Sequence, residues 1–523
     1  MNRFIITLVT TLAIALCGSI QAEPELDILT IGNSAEPGTL DPHRYFANAE
    51  EHILKDLFLG LTTMGPRGEI LPGLATSWKT SEDGLQWRFE LNPDATWSDS
   101  QPLTAKDFVY GLRRHQDPQT ASPLAHFLYC IKNAESINRG HLAPDQLGVS
   151  IEDEHTLVID LEQPFPFLLE RLLYPIAYPI PEHTVKKHGD AWVKAENWVS
   201  NGPYVLNEWR PREYVELRRN AHFIFAHEAI IGTVRYYPFQ EPATAYNRFV
   251  AGDMDIVHGY PHTLVSRVLQ ERPNEVQNAP LQSIMYLVIN TREKPFDDAR
   301  VRAALAAAIS RNRITDQVLA AGEIPSETLS PPLVSGQMSH GPDAESSVER
   351  AIALLTEAGF DESQPLGVTL RYISGAENKR VYVAIAAMWK DAGINTTLHH
   401  TNLATHFSDL QNGDFEVAQA GWFGENNPEH YIELLWSKIG PANYGRYQSA
   451  KFDALFEEAR KTADLQSRLE MLTSAEEIAL EDFPVIPLYV TMTLNLVKTH
   501  VGGWQRNGRN LHPVRFMHWV ESP

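Results

Sequence analysis

Between residues 346 and 422 the apolar positions switch repeatedly between two periods, and the switches mark secondary-structure elements. Val348, Ile352 and Leu355 recur at helical spacing behind a capping box formed by Ser346 and Glu349, and Gly359 stands where a helix end takes a left-handed residue. Residues 368–373 alternate with period two and predict a strand. A second helix is expected over about 379–392, stopped by Gly393, and a short strand over 394–399. A third helical stretch, about 403–410, gives way at Gly413 to an apolar strand over 415–420. Strands alternating with helices at this spacing predict βαβ units and a parallel sheet.

The earlier half has a different texture. Residues 85–91 and 157–161 read as strands, and Thr104-Ala105-Lys106-Asp107 is a helix start leading into Phe108, Val109 and Leu112. The prolines at 164, 166, 175, 179 and 181 mark a candidate boundary between two units of the chain. No internal repeat or low-complexity tract is present.

The first residues set the expected compartment. Arg3 is followed by an apolar run over 4–16 and then by small and polar residues ending at Ala22, the order of a secretory signal peptide. That run is shorter than the ~20 residues of a membrane-spanning helix. Cys17 raises the question of a lipid anchor. Leu16, however, stands where a lipoprotein signal places a small residue, so cleavage after Ala22 without lipidation is expected. Cys130 is then the only cysteine of the mature chain, and no intrachain disulfide is expected.

The 523 residues exceed what a single core usually serves, which predicts two lobes or more. A net charge of −22 argues against a nucleic-acid partner and against adhesion to an anionic membrane.

Catalytic and metal motifs are not found. His227-Glu228-Ala229-Ile230-Ile231 lacks the second histidine that zinc needs one helical turn away, and neither a phosphate-cradling glycine loop nor a G-x-S-x-G elbow occurs. His399 and His400 are adjacent in a predicted strand and so point to opposite faces, which suits surface residues better than a shared metal. No cofactor, metal or catalytic residue is assigned.

Several strings in order resemble the bacterial peptide-binding proteins of ABC importers, the oligopeptide- and dipeptide-binding family, with the oligopeptide-binding branch most similar. They are Ala35-Glu36-Pro37-Gly38-Thr39-Leu40-Asp41-Pro42-His43, Pro72-Gly73-Leu74-Ala75, Ala95-Thr96-Trp97-Ser98-Asp99, Asn201-Gly202-Pro203-Tyr204, Gly252-Asp253-Met254-Asp255, the run from Pro295 to Leu305, and Pro484-Val485-Ile486-Pro487-Leu488-Tyr489. The resemblance implies an α/β, two-lobed periplasmic binding protein with a hinge. It divides the chain into a signal peptide (1–22), a discontinuous lobe I (23–58, 182–277 and 491–523), an inserted domain (59–181) and a lobe II (278–490). It also implies a monomer that takes a short peptide by hinge closure and delivers it to the permease of an inner-membrane ABC transporter. A modified peptide or a non-peptide solute (murein peptide, sugar, haem) is the alternative within the same role. A periplasmic peptidase, and a chaperone or sensor subunit, are further readings.

The sequence locates a site as well. In open α/β sheets ligands bind outside the carboxyl ends of strands, and the predicted strand over 415–420 runs into Gly421-Trp422-Phe423-Gly424-Glu425-Asn426-Asn427. Gly421 and Gly424 would let another backbone approach, and Trp422 offers a flat apolar wall. By itself Glu425 is an ordinary loop acid. The resemblance places it where the family's aspartate holds a peptide's α-ammonium, and it adds Phe46 and Asn48 from the opposite lobe, Phe249 in the place of a family tyrosine, and Tyr489. Leu410, Gln419 and Ala404 stand where related binders carry arginines and an aromatic wall, which implies a roomier and less basic site.

Overall fold

The computed structural model describes residues 28–335 and 347–520. The expected signal peptide with Cys17, and Ser346 of the expected capping box, lie outside the described residues. Three sheets organise the chain. A six-stranded sheet has the order Asn495–Val497, Ile256–His258, Ile28–Asn33, Thr233–Pro238, Tyr214–Arg219 and Tyr204–Arg210, with Ile28–Asn33 parallel to both of its neighbours. A four-stranded antiparallel sheet orders Ala75–Thr80, Gln86–Leu91, Thr156–Asp160 and Val149–Asp153. These two sheets share one continuous core, in which Leu217 and Val234 of the first and Phe89 and Ile159 of the second join Phe58, Trp192 and Trp198.

The third sheet has six strands in the order Ile324–Pro325, Val485–Val490, Ser283–Ile289, Val417–Phe423, Gly367–Ile373 and Asn395–Thr401. The βαβ prediction holds where it was made: Gly367–Ile373 is parallel to both Asn395–Thr401 and Val417–Phe423. Beyond it the sheet is mixed, because Ser283–Ile289, far away in sequence, pairs antiparallel with Val417–Phe423 on one side and Val485–Val490 on the other. Period-two geometry sends Ile284, Tyr286 and Val288 to one core and Leu287 and Ile289 to another, so both faces are covered and this strand reads as an unbroken apolar run. Pro487 sits in a central strand at a register shift opposite Met285/Tyr286, where a missing N–H is tolerated.

Local signals behave as their physics requires. The Thr104 backbone N–H donates to the Asp107 carboxylate at 2.8 Å, starting the helix Ala105–Gln116. The helix Val348–Glu357 takes its cap one residue later than expected, from Ser347 and not Ser346: the Ser347 hydroxyl accepts from the Arg350 N–H. Gly359, Gly393 and Gly413 all adopt positive φ (94°, 80° and 83°) just past the helices they end. Helix Ala376–Asp391 buries Tyr382, Ile385 and Trp389, and the Trp389 indole N–H donates to the Leu305 carbonyl at 3.0 Å.

Two chain segments pass side by side between the first and third sheets. Ala279–Pro280 pairs antiparallel with Met492–Thr493, and Gln277 and Leu281 bond to the Asn495 and Thr491 carbonyls at 2.9 Å each. To one side of this crossing His262 bonds Glu323 at 2.9 Å. No helix of the described residues is long and apolar enough to cross a membrane.

Candidate functional site

The strand Val417–Phe423 carries the site. Its first half is core, with Val417, Ala418 and Ala420 buried, and the buried Gln419 side chain accepts the Ile373 N–H at 2.9 Å to tie its edge to the neighbouring strand. Its carboxyl end emerges: Trp422 is half-buried and Phe423 is 64% exposed. The strand thus runs past its predicted end, and Gly421-Trp422-Phe423 are its last residues, still paired with Met285, Ile284 and Ser283.

The glycines serve the chain itself here. A Cβ at Gly421 would lie 2.7 Å from the Met285 sulfur, and one at Gly424 would lie 2.5 Å from the Tyr431 ring. The approach they permit is therefore to side chains of this sheet and of the short helix Glu429–Ile432, where the approach of another backbone was expected. Gly424 N–H and the Tyr431 hydroxyl both donate to the Gln282 carbonyl at 2.9 Å, fixing the loop that carries Glu425. Gly424→Ala is expected to cost roughly 1–3 kcal/mol through overpacking against Tyr431. A urea unfolding midpoint checks this, and an unchanged midpoint would show that Tyr431 can retreat.

Glu425 is fully buried, and its partner is the chain's own Arg171, with Nε 3.0 Å from Oε2. Arg171 ends the short helix Leu168–Arg171, between the four-stranded sheet and the return to the first sheet, so this pair bridges distant parts of the chain. Its guanidinium lies over the Phe127 ring at 4.9 Å and the Phe165 ring at 5.7 Å, and Nη1 donates to the Phe127 carbonyl at 3.3 Å. Burial pushes the Glu425 carboxyl up from its ordinary value, while Arg171 and then Arg509 pull it back. Burial, and then Arg171, hold His430 well below the usual histidine range. Burial pushes Glu433 up to about 7.

The pair belongs to a run of buried charges. Arg509 reaches Glu170 at 3.3 Å and lies over the Tyr174 ring at 4.6 Å. Glu429 is held by Arg468 and Arg460, and Lys55 by Glu51 at 3.3 Å and the Leu173 carbonyl at 2.8 Å. Around Arg171 and Glu425 several buried polar atoms make no hydrogen bond: Trp422 Nε1, Asn427 Nδ2, His430 Nδ1, Arg171 Nε and both Glu425 oxygens. The 3.0 Å approach of Arg171 to Glu425 is an ion pair out of line for a hydrogen bond. Contacts join these groups, since Trp422 packs on His430 and both His430 and Arg171 pack on Phe127. An unmade buried hydrogen bond costs about 1–3 kcal/mol, so this concentration sets the region apart as the candidate site.

The other expected residues divide. Phe46 (74% exposed) and Asn48 are accessible at the start of the helix Asn48–Leu57. Asn427 is buried, its side-chain oxygen accepting the Glu429 N–H at 2.9 Å. Phe249 is fully buried among Tyr246, Met254, Val265 and Leu496, with the Lys498 ammonium 4.1 Å from its ring centre. It is core and presents no surface to a ligand, because the apolar face of its helix packs on the first sheet. Tyr489 likewise lies within the core of the third sheet. Leu410 is core too, whereas Ala404 is exposed. Sequence reading missed Arg171, Phe127, His430 and Arg509. None has a local signal, since each is an ordinary residue until the fold brings it to Glu425.

Residues 69–443 match the family of bacterial extracellular solute-binding proteins, family 5 (middle region). The chain is 34% identical over 486 residues to the periplasmic oligopeptide-binding protein OppA of Salmonella typhimurium, covering 91% of this chain and 89% of the relative. To the probable deoxycholate-binding periplasmic protein YgiS of Escherichia coli it is also 34% identical over 486 residues, covering 91% and 90%. Its fold matches the unliganded open form of the periplasmic murein tripeptide binding protein MppA with a TM-score of 0.85 and 32% identity, over 95% of this chain and 98% of that one.

Proposed function

Because the chain belongs to the family 5 bacterial extracellular solute-binding proteins, we propose that it is the periplasmic ligand-capturing component of an ABC importer. It takes a short peptide or peptide-like solute between its two lobes and presents the closed form to the inner-membrane permease. The observation that carries this reading is the placing of the Gly421–Asn427 segment. It lies at the carboxyl end of a sheet strand and, with His430, meets Arg171 and Phe127 of the expected inserted domain, so that a ligand there would touch two units of the chain at once. The paired crossing at Ala279–Pro280 and Met492–Thr493 is narrow enough to act as a hinge between bodies that each have their own core.

The role is binding and release by a monomer exported through its signal peptide, without turnover. The family and the relatives are solute-binding proteins, and the sequence carries no nucleophile or metal motif. Purified from the periplasm, the mature protein is expected to retain or bind one short peptide per chain, to release it unchanged on denaturation, and to become more compact when loaded. Mass spectrometry of the released ligand and small-angle scattering test this. Cleavage of the ligand, or an unchanged radius of gyration at saturation, would overturn it.

A further inference from the structure

The acid at the carboxyl end of the Val417–Phe423 strand already has a cation. Glu425 is fully buried with Arg171 at 3.0 Å, and Arg171 is itself pinned by Phe127 and Phe165, so the guanidinium is held in place. A ligand ammonium would have to displace a pre-organised cation to reach this carboxylate, and the exchange of one cation for another returns little. With Arg171 Nε and Glu425 Oε2 set against each other, the atoms left without partners around the pair include two donors, the Trp422 indole N–H and the Asn427 amide N–H2, beside Glu425 Oε1. Asn427 and His430, both nearly fully buried, contribute unpartnered nitrogens to this cluster. Arg509, stacked on Tyr174, adds a second guanidinium along the same seam. The two uncharged donors, Trp422 and Asn427, recognise acceptors.

We propose that Arg171 sets the ligand class of this protein: it matches Glu425 from within, so the site takes a ligand that presents a carbonyl or carboxylate oxygen to the Trp422 and Asn427 donors and no free ammonium. An amino-blocked peptide and a non-peptide carboxylic acid share this chemistry. The inference rests on the proposed solute-binding role and deepens it.

Calorimetry with tri-alanine, N-acetyl-tri-alanine and sodium deoxycholate, a carboxylate with neither peptide bond nor amine, separates the sources. The parent is expected to bind the acetylated tripeptide or the bile acid at least as tightly as free tri-alanine. Arg171→Met, which uncovers Glu425, is expected to shift the free-to-acetylated affinity ratio toward the free peptide by about tenfold or more. Arg171→Lys is expected to keep the parent's selectivity. Should Arg171→Met not fold, Glu425→Gln serves instead, and it is expected to leave the ratio unchanged. The proposal is overturned if the parent prefers free tri-alanine tenfold, if Arg171→Met leaves the ratio as it was, or if Glu425→Gln weakens only the free peptide. If neither tripeptide binds, the peptide reading of the function fails separately. The mass spectrum of the ligand retained from the periplasm then decides: an acid lacking a primary amine supports the role of Arg171, and a primary amine overturns it.

Discussion

Arg468→Met is expected to lower the unfolding free energy by about 3–5 kcal/mol, the cost of leaving a buried charge without its partner. Arg468 is fully buried. Its Nε donates to Glu429 at 3.0 Å, and its Nη1 donates to the Pro164, Arg460 and Thr462 carbonyls at 2.9, 3.0 and 3.2 Å. Methionine fills much of the volume but serves none of these acceptors. Arg460, 3.3 Å from Glu429, still opposes the orphaned charge and keeps the loss within that range. Because Pro164 belongs to the part of the chain that carries Arg171, the substitution should also loosen the seam beside the site. Adding Glu429→Leu to Arg468→Met should cost less than the two single losses summed, since both remove one shared interaction. Chemical denaturation of the three variants tests this. A loss under about 1 kcal/mol for Arg468→Met would mean that water reaches Glu429 and that the pair is not truly desolvated.

Acid is expected to unfold the protein steeply below about pH 4.5 and to change its stability little between about pH 5 and 7. Burial holds His52 down at about 4 and His115 at about 3, and it places His43, His258 and His430 well below their ordinary value. A lowered histidine stabilises the fold above its unfolded value of 6.5 and loses that contribution as the pH falls toward its folded value. For His52 and His115 this is on the order of a few kcal/mol each. Burial acts oppositely on Asp56, Glu433 and Glu476, pushing each up to about 7. Their contribution is present below the unfolded values of 3.8 and 4.5 and is lost as the pH rises toward 7. Across the interval between, the two slopes oppose one another. Below it Asp56, Glu433 and Glu476 become protonated in the unfolded chain as well, and the acid limb is set by the histidines with the lowest folded values together with carboxylates that hydrogen bonds hold low, such as Asp83 and Asp361. Thermal midpoints measured from pH 3.5 to 8 check this. His115→Asn should move the acid limb to lower pH, and a stability maximum below pH 4.5 would overturn the account.

The resemblance carried by short strings was fully legible, and the family match over residues 69–443 and the two-lobed fold of MppA agree with it. Helix stops were legible too. The left-handed turns at Gly359, Gly393 and Gly413, and the Thr104–Asp107 cap, depend on groups within four residues of each other, so local sequence specifies them. The parallel trio Asn395–Thr401, Gly367–Ile373 and Val417–Phe423 followed from the same short range. Less legible was the strand Ser283–Ile289 that divides the third sheet, because its antiparallel partners lie more than a hundred residues away.

At the site the boundary between the two kinds of information is sharp. Sequence alone pointed to a strand end with two glycines, a tryptophan and an acid as the candidate site, because chain order and period two are written locally. Only the tertiary structure decided that the acid there has a cation of its own. Arg171 stands 254 positions from Glu425, and no pattern around either residue announces the other. The same long-range packing turned Phe249 and Tyr489 from candidate ligand contacts into core residues. Whether a side chain meets solvent, a ligand or another helix is settled by which distant surfaces close over it. A carboxylate's partner is settled by which cation burial leaves it no choice but to accept.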